Sequence, residues 1–210
     1  MGSRSWRGAS RRVAVALLLA AAPAAAQGGP DGPAIVAELP SDLRERLQAQ
    51  KAVLAGHAES STVSAQGYVI FEQPVERVFQ LLAQTARQAE YRPELESIET
   101  VARLDDGTID EHRIRILFIG LCYRLRSHLD AAHRRISWEL DPSFENELRR
   151  VEGSWELHAL DARRTLGVFR TTVEVGSGIP SFVQDYLTRR NLPGTLERCR
   201  RWVDADGRAD

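Results

Sequence analysis

The sequence predicts an α+β fold in which a curved antiparallel sheet of about seven strands wraps around a long C-terminal helix. Three observations predict it. Apolar and polar residues alternate in repeated runs between Leu95 and Val175, the period of strands with one face buried. Turn-forming clusters separate those runs, at Asp105-Asp106-Gly107 and at residues 132–134, 141–146 and 161–164. After Pro180, apolar residues recur at helical spacing instead.

Residues 1–26 read as a secretory signal peptide. Arg4, Arg7, Arg11 and Arg12 form a basic start, residues 13–22 an apolar run, and Pro23 precedes the small residues Ala24-Ala25-Ala26. Cleavage is expected after Ala26, which makes the protein exported, either periplasmic or secreted. The apolar run is shorter than the ~20 residues that span a bilayer, and no cysteine stands at the cut to take a lipid anchor. Residues after Arg11-Arg12 fit twin-arginine export poorly, which favours an ordinary secretory signal. Removing four arginines leaves 24 basic against 29 acidic residues, a net charge of −5. That balance argues against nucleic acid as a partner.

Residues 27–60 form a flexible leader followed by an amphipathic helix from Ser41 to about Ala55. Leu43, Leu47 and Leu54 share one face, and Gly56 is read as the stop. The main domain is placed at 61–205, with 206–210 as a tail. It opens on a strand over residues 61–73, after which Pro74 starts a short helix with Val75, Val78, Phe79 and Leu82 on one side. A second helical piece ends near Tyr91-Arg92-Pro93.

Strands then follow in succession, at 95–104 and at 108–118 ending near Gly120. In the next, Leu121, Tyr123, Leu125 and Leu129 alternate with Cys122, Arg124, Arg126, His128 and Asp130. Ile136, Trp138 and Leu140 repeat the pattern, as do Val151, Gly153, Trp155, Leu157 and Ala159, and then residues 166–175. In the final helix, Phe182, Val183, Tyr186 and Leu187 point one way, while Leu192, Leu196, Cys199 and Val203 centre roughly 140° away. One straight helix cannot bury both stripes on one surface, so a kink or break is expected at residues 191–194, around Pro193-Gly194.

This order of elements resembles the helix-grip fold of the START-like superfamily. The most similar branches are the polyketide cyclase/dehydrase and coenzyme Q-binding ones, grouped as SRPBCC proteins. Carrying the resemblance are Gln73-Pro74-Val75-Glu76-Arg77-Val78-Phe79, Tyr91-Arg92-Pro93-Glu94-Leu95, Gly153-Ser154-Trp155-Glu156-Leu157, and Ile179-Pro180-Ser181-Phe182 with Leu192-Pro193. The resemblance implies an apolar cavity between sheet and helix, used for lipids, quinones, sterols or polyketides. It implies no shared chemistry. On this fold the inward registers make Ile114, Ile116, Phe118, Tyr123, Leu125, Trp138, Trp155 and Leu157 candidate cavity-lining residues, with Phe182, Val183, Tyr186 and Leu187 from the helix.

No catalytic motif is found. The histidines His57, His112, His128, His133 and His158 form no metal-binding pair, and no serine elbow or cysteine site is present. No metal or cofactor is expected. His112 shares the register of Ile114 and Ile116, and reads either as a core histidine or as a polar cavity residue. Cys122 and Cys199 read as a disulfide or as two separate thiols on elements that face apart.

Three functions stay open. The first is an exported binding protein for a hydrophobic small molecule, with transient membrane contact. The second is a cyclase or dehydratase using His112 or Tyr123. The third is a protein-interaction domain with a filled core, docking through the helix from Ser41.

Overall fold

The computed structural model describes residues 31–59, 62–176, 178–180, 182, 183, 186 and 191–208. The expected signal peptide and Leu187 lie outside the described residues. Eight strands form one antiparallel, curved and unclosed sheet. They are β1 Ala52–Glu59, β2 Thr62–Phe71, β3 Leu95–Leu104, β4 Gly107–Ile116, β5 Ile119–Asp130, β6 Arg135–Leu140, β7 Leu148–Ala159 and β8 Thr165–Val175. Their order in the sheet is β1-β2-β8-β7-β6-β5-β4-β3. Consecutive strands from β3 to β8 are neighbours, so short turns suffice there. After β2 the chain crosses to the opposite edge of the sheet, where β3 lies, through helix α3 (Val75–Leu82) and a 3-10 helix (Thr85–Glu90), and the meander from β3 returns to pair its last strand β8 with β2.

The strand count differs from the expected seven because Ala52–Glu59 is not the end of a helix. Helix α1 covers Gly32–Glu38, partly within the expected leader, and helix α2 covers Ser41–Gln50. Lys51 then turns left-handed at φ 62°, and its N–H bonds Leu47 O. Alanine and leucine at 52–55 favour a helix by intrinsic preference, but pairing with β2 runs from Ala52↔Val69 to Glu59↔Thr62. Cross-strand pairing outweighs local propensity here.

Helix α2 and the residues before it pack on the outer side of the sheet. Leu39, Leu43 and Leu47 form a cluster with Val53, Ile70, Leu166 and Val168. On the inner side lies the C-terminal helix α4 (Asn191–Asp204), across β1 and β2. A Cβ on Gly67 of β2 would stand 2.6 Å from Leu196 Cδ1. The missing side chain therefore lets the helix approach the sheet closely.

Two apolar clusters fill the inner side. One joins Val69, Phe71, Val78, Leu81, Trp155 and Leu157 to Leu196, Cys199, Trp202 and Val203 of α4. The other joins Leu95, Ile114, Ile116, Leu121, Tyr123, Leu125, Leu148 and Val151 to Val183, with Tyr186 packed against it. Val183 and Tyr186 of the first helical stripe thus serve one half of the core, and Leu196, Cys199 and Val203 of the second serve the other. Pro193 sits in the first turn of α4, where a missing N–H costs little. The break expected at 191–194 does not fall there, since one helix runs from Asn191 through Pro193 and Gly194 to Asp204; residues 187–190, just before it, lie outside the described residues.

Candidate functional site

The two clusters leave a cavity of about 140 Å³ between the inner sheet face and α4. Its apolar wall includes Ile114, Tyr123, Leu125, Ile136, Trp138, Leu148, Val151, Trp155 and Phe169 from the sheet, and Leu192 and Leu196 from the helix. The aromatic floor is contiguous. Phe169 lies 4.9 Å from Trp155 and 5.8 Å from Trp138, ring centre to ring centre, and Phe71 backs Trp155 at 5.9 Å. Gly153 makes room for this floor, because a Cβ there would run into the Trp138 ring.

One region of the wall is polar. Thr85, Gln88, Tyr91, Arg92 and Glu94 line it from the 3-10 helix and the residues that follow, with Asn191, Thr195 and Cys199 contributed by α4. Arg92 Nε donates to Glu94 Oε1 at 2.9 Å, and Arg92 Nη1 to Gln88 Oε1 at 3.0 Å. The Glu94 side chain is 1 % exposed and that of Arg92 is 21 % exposed. Burial alone would raise the Glu94 carboxyl above its usual range. The Arg92 charge, helped by hydrogen bonds that include the nearby Asn191 amide, more than offsets this and holds it below. Glu94 Oε2 itself accepts no hydrogen bond, although it is buried. Arg92 is in turn held charged by Tyr123 and Glu94 against the opposing effect of burial. Burial raises the Tyr91 and Tyr123 hydroxyls, so both stay protonated at neutral pH. Burial also pushes the Cys199 thiol up to about 12, and it remains a thiol bonded to Tyr91.

Behind this region lies a second buried group. Asp110, fully buried on β4, accepts from Thr85 Oγ1 at 2.6 Å and Thr108 Oγ1 at 2.8 Å on Oδ2, and from Thr100 Oγ1 at 2.7 Å on Oδ1. Thr85 is the member of this group that reaches the cavity.

Of the residues expected to line the cavity, Ile114, Tyr123, Leu125, Trp138 and Trp155 do so. Ile116, Leu157 and Val183 are buried in the flanking clusters instead, and Tyr186 packs against one of them. Phe118 and Phe182 lie outside the wall, 74 % and 40 % exposed, with ring centres 5.7 Å apart. For Phe118 the reason is a turn that carries no turn residue. Ile116 pairs with Ile119, which leaves Leu117-Phe118 as the hairpin tip, with Leu117 at φ 55°.

His112 is also placed differently. It is 1 % exposed, absent from the cavity wall, and stacked on Tyr123 at 5.2 Å. Burial, then the Arg92 charge, lowers its pKa to about 3, so the ring stays neutral and Nδ1 has no hydrogen-bond partner. The disulfide is not formed. Cys122 is a free thiol on the charged side of β5, and Cys199 is a free thiol inside, facing the cavity. Sequence reasoning missed Thr85, Arg92, Glu94 and Asp110. Asp110 was the most accessible of these, since it precedes His112 by two residues on the same strand face.

A scan against protein-family models finds no match, and neither does a search of curated proteins. Solved structures do match. The Zhui aromatase/cyclase from Streptomyces sp. R1128 superposes with a TM-score of 0.60 at 18 % identity, over 70 % of this chain and 97 % of that one. The fold is START-like. A START superfamily protein from Mycobacterium smegmatis gives 0.56 at 16 % identity, over 68 % of this chain and 97 % of its own. Ara h 8.0201 gives 0.51 at 16 % identity, over 69 % and 99 %. At these identities the START-like likeness is one of architecture, and the helix-grip arrangement of sheet and C-terminal helix is what is shared.

The Arg92–Glu94 pair generates a stability prediction. Arg92→Leu leaves the Glu94 carboxylate buried without its cation. The expected loss is about 3 kcal/mol of folding stability at pH 7, at the low end for buried pairs because Arg92 keeps some contact with water. Because the folded-state pKa of Glu94 is depressed, the pair contributes above the ordinary carboxylate range and is lost as pH falls through the depressed value. In the variant, protonation relieves the unpaired charge. Urea melts should therefore show the deficit shrinking as pH drops from 7 toward about 4.

Proposed function

We propose that the protein holds a hydrophobic small molecule in the cavity between the sheet and α4. The observation that carries this reading is a void with a largely aromatic and aliphatic wall and a limited number of polar side chains. Most of these come from the 3-10 helix region and α4, with Ser127 and Thr171 from the sheet. That is the usual construction of a small-molecule site. The volume of about 140 Å³ suits a single aromatic ring, similar to the ~150 Å³ engineered cavity that takes up benzene. A longer molecule, lipid- or quinone-like, requires α4 to shift from the sheet. The START-like neighbours support the same reading, since their scaffold is similar.

A second reading is an enzyme of the kind named for the Streptomyces neighbour, an aromatase/cyclase. The observation that favours it is the approach of Tyr123, Arg92 and Glu94 to one place on the wall. Tyr123 is better situated for proton transfer than His112, which is off the wall and neutral. The interaction-domain reading required a filled core, and the cavity removes that ground.

Organic extraction of the protein purified from its native host, followed by mass spectrometry, should release one apolar compound in near-stoichiometric amount. Leu125→Trp, which fills the cavity from its wall, should abolish the co-purification while the fold is retained. A compound that is recovered chemically altered after incubation, rather than merely retained, decides for the enzyme; an empty wild-type protein counts against both readings.

We further propose that ligand exchange uses a membrane surface touched by the β4–β5 tip. Leu117 and Phe118 are 75 % and 74 % exposed there, beside Phe182, and Leu117 is left-handed where glycine or asparagine is usual. Leu117→Ser with Phe118→Ser should reduce flotation with phospholipid vesicles severalfold without altering thermal stability. Export remains part of the proposal, on the basic, apolar and small-residue pattern of residues 1–26. Sequencing the N-terminus of protein recovered outside the host cytoplasm should begin at Gln27.

A further inference from the structure

The unclosed sheet has two edges, and they are built differently. One edge is β3. Its pairing with β4 slips twice, between Leu95 and Ser97 and between Thr100 and Ala102, and Glu96, Glu99 and Arg103 stand exposed along it. Bulges and charges are the devices that keep an edge strand from pairing with another chain. The other edge is β1, which has neither. Its register with β2 is unbroken from Ala52 to Glu59, it contains no proline, and apart from His57 its one ionisable residue is the last.

Just before this strand, Ile70 N–H donates to Lys51 O at 2.7 Å, which fixes the phase of the pairing. The odd-numbered residues of β1 exchange backbone bonds with β2. The N–H and C=O of Ala52, Leu54, Gly56 and Ala58 therefore point away from the sheet. Among the described residues, no backbone group is bonded to them from that side. Both faces of the strand are meanwhile covered, since Val53 belongs to the cluster under α2 and Leu54 packs against the cluster under α4. What β1 still offers to a partner is its edge.

The strand is complementary to itself in antiparallel order. Turned about Ala55, it sets Leu54 opposite Gly56 and Ala52 opposite Ala58, so the four residues with free backbone groups face one another. The same turn sets Lys51, the only lysine of the chain, opposite Glu59, and does so at both ends. Lys51 is 36 % exposed, and its Nζ lies 3.6 Å from Glu72 Oε1 of its own chain, which leaves it room for a second carboxylate. We infer that the protein pairs with a second copy of itself through β1, about a two-fold axis at Ala55, joining the two sheets into one. About eight main-chain hydrogen bonds then cross the axis, two for each facing pair, in an isologous interface. The β4–β5 tip lies toward the other edge of the sheet and stays uncovered. The pairing is thus independent of what fills the cavity.

Sedimentation equilibrium of the chain from Gln27 onward should give twice the monomer mass, with slow amide exchange at Ala52, Leu54, Gly56 and Ala58. Ala55 is exposed, so a charge placed there is tolerated by the single chain, but the axis sets it against its own copy. Ala55→Glu and Ala55→Lys should each raise the dimer dissociation constant at least about tenfold, because like charges meet directly. Circular dichroism should stay unchanged in both. An equimolar mixture of the two variants should pair again, as a heterodimer. A wild type that is monomeric at every concentration overturns the inference. So does a dimer that both variants leave intact, since the interface then lies elsewhere, and so does a mixture that fails to pair. If either variant does not fold, the wild-type amides decide: fast exchange at those four residues in a dimer overturns the inference.

Discussion

The close seating of α4 against β1 and β2 is the constraint on which the rest of the structure depends. Gly67 permits it, because Leu196 occupies the space a side chain there would need. With the helix held at that edge of the sheet, a space remains between it and the inner face, lined by side chains from β4 to β8 and from the helix itself. Trp138, Trp155 and Phe169 bridge the two apolar clusters without filling the gap. Close packing is the norm for protein interiors. A void bounded by large aromatic rings and grouped polar atoms is therefore a feature of the arrangement and not slack.

Burying charge beside that void has a physical cost, and the chain meets it in two ways. Arg92 and Glu94 neutralise each other, with Gln88 taking a further guanidinium N–H. Asp110 has no cation bonded to it among the described residues and is instead surrounded by three threonine hydroxyls. Such groups are stable only when satisfied. Glu94 Oε2 is buried with no hydrogen-bond partner, and the Arg92 charge bonded to the other oxygen of the same carboxylate offsets that cost.

Much of the sheet was legible because alternation in a strand directly states which side chains are buried. Tyr123, Leu125, Trp138 and Trp155 reach the cavity wall from the registers that placed them inward. Two features misled that reading. Strand β1 has helix-favouring residues and is held by its partner strand, and the Leu117-Phe118 turn lacks glycine, asparagine or aspartate, so the strand reading ran past it to Phe118. The polar residues were hidden for a different reason. A charged residue in a sequence is assigned to solvent by default, and only the approach of the 3-10 helix to β4 shows that Arg92, Glu94 and Asp110 are turned inward.

The sequence by itself determined the architecture: strands, turns and the helix that closes the core. These are set by local periodicity and turn chemistry, which a chain expresses within a few residues. Tertiary structure alone decided how much space remained under the helix, that Cys122 and Cys199 stand apart as free thiols, and which polar groups face the space. Those outcomes depend on distances between segments remote in the chain, such as Thr85 and Asp110, or Gly67 and Leu196. No local pattern encodes them, because a void is a property of the surfaces that fail to meet.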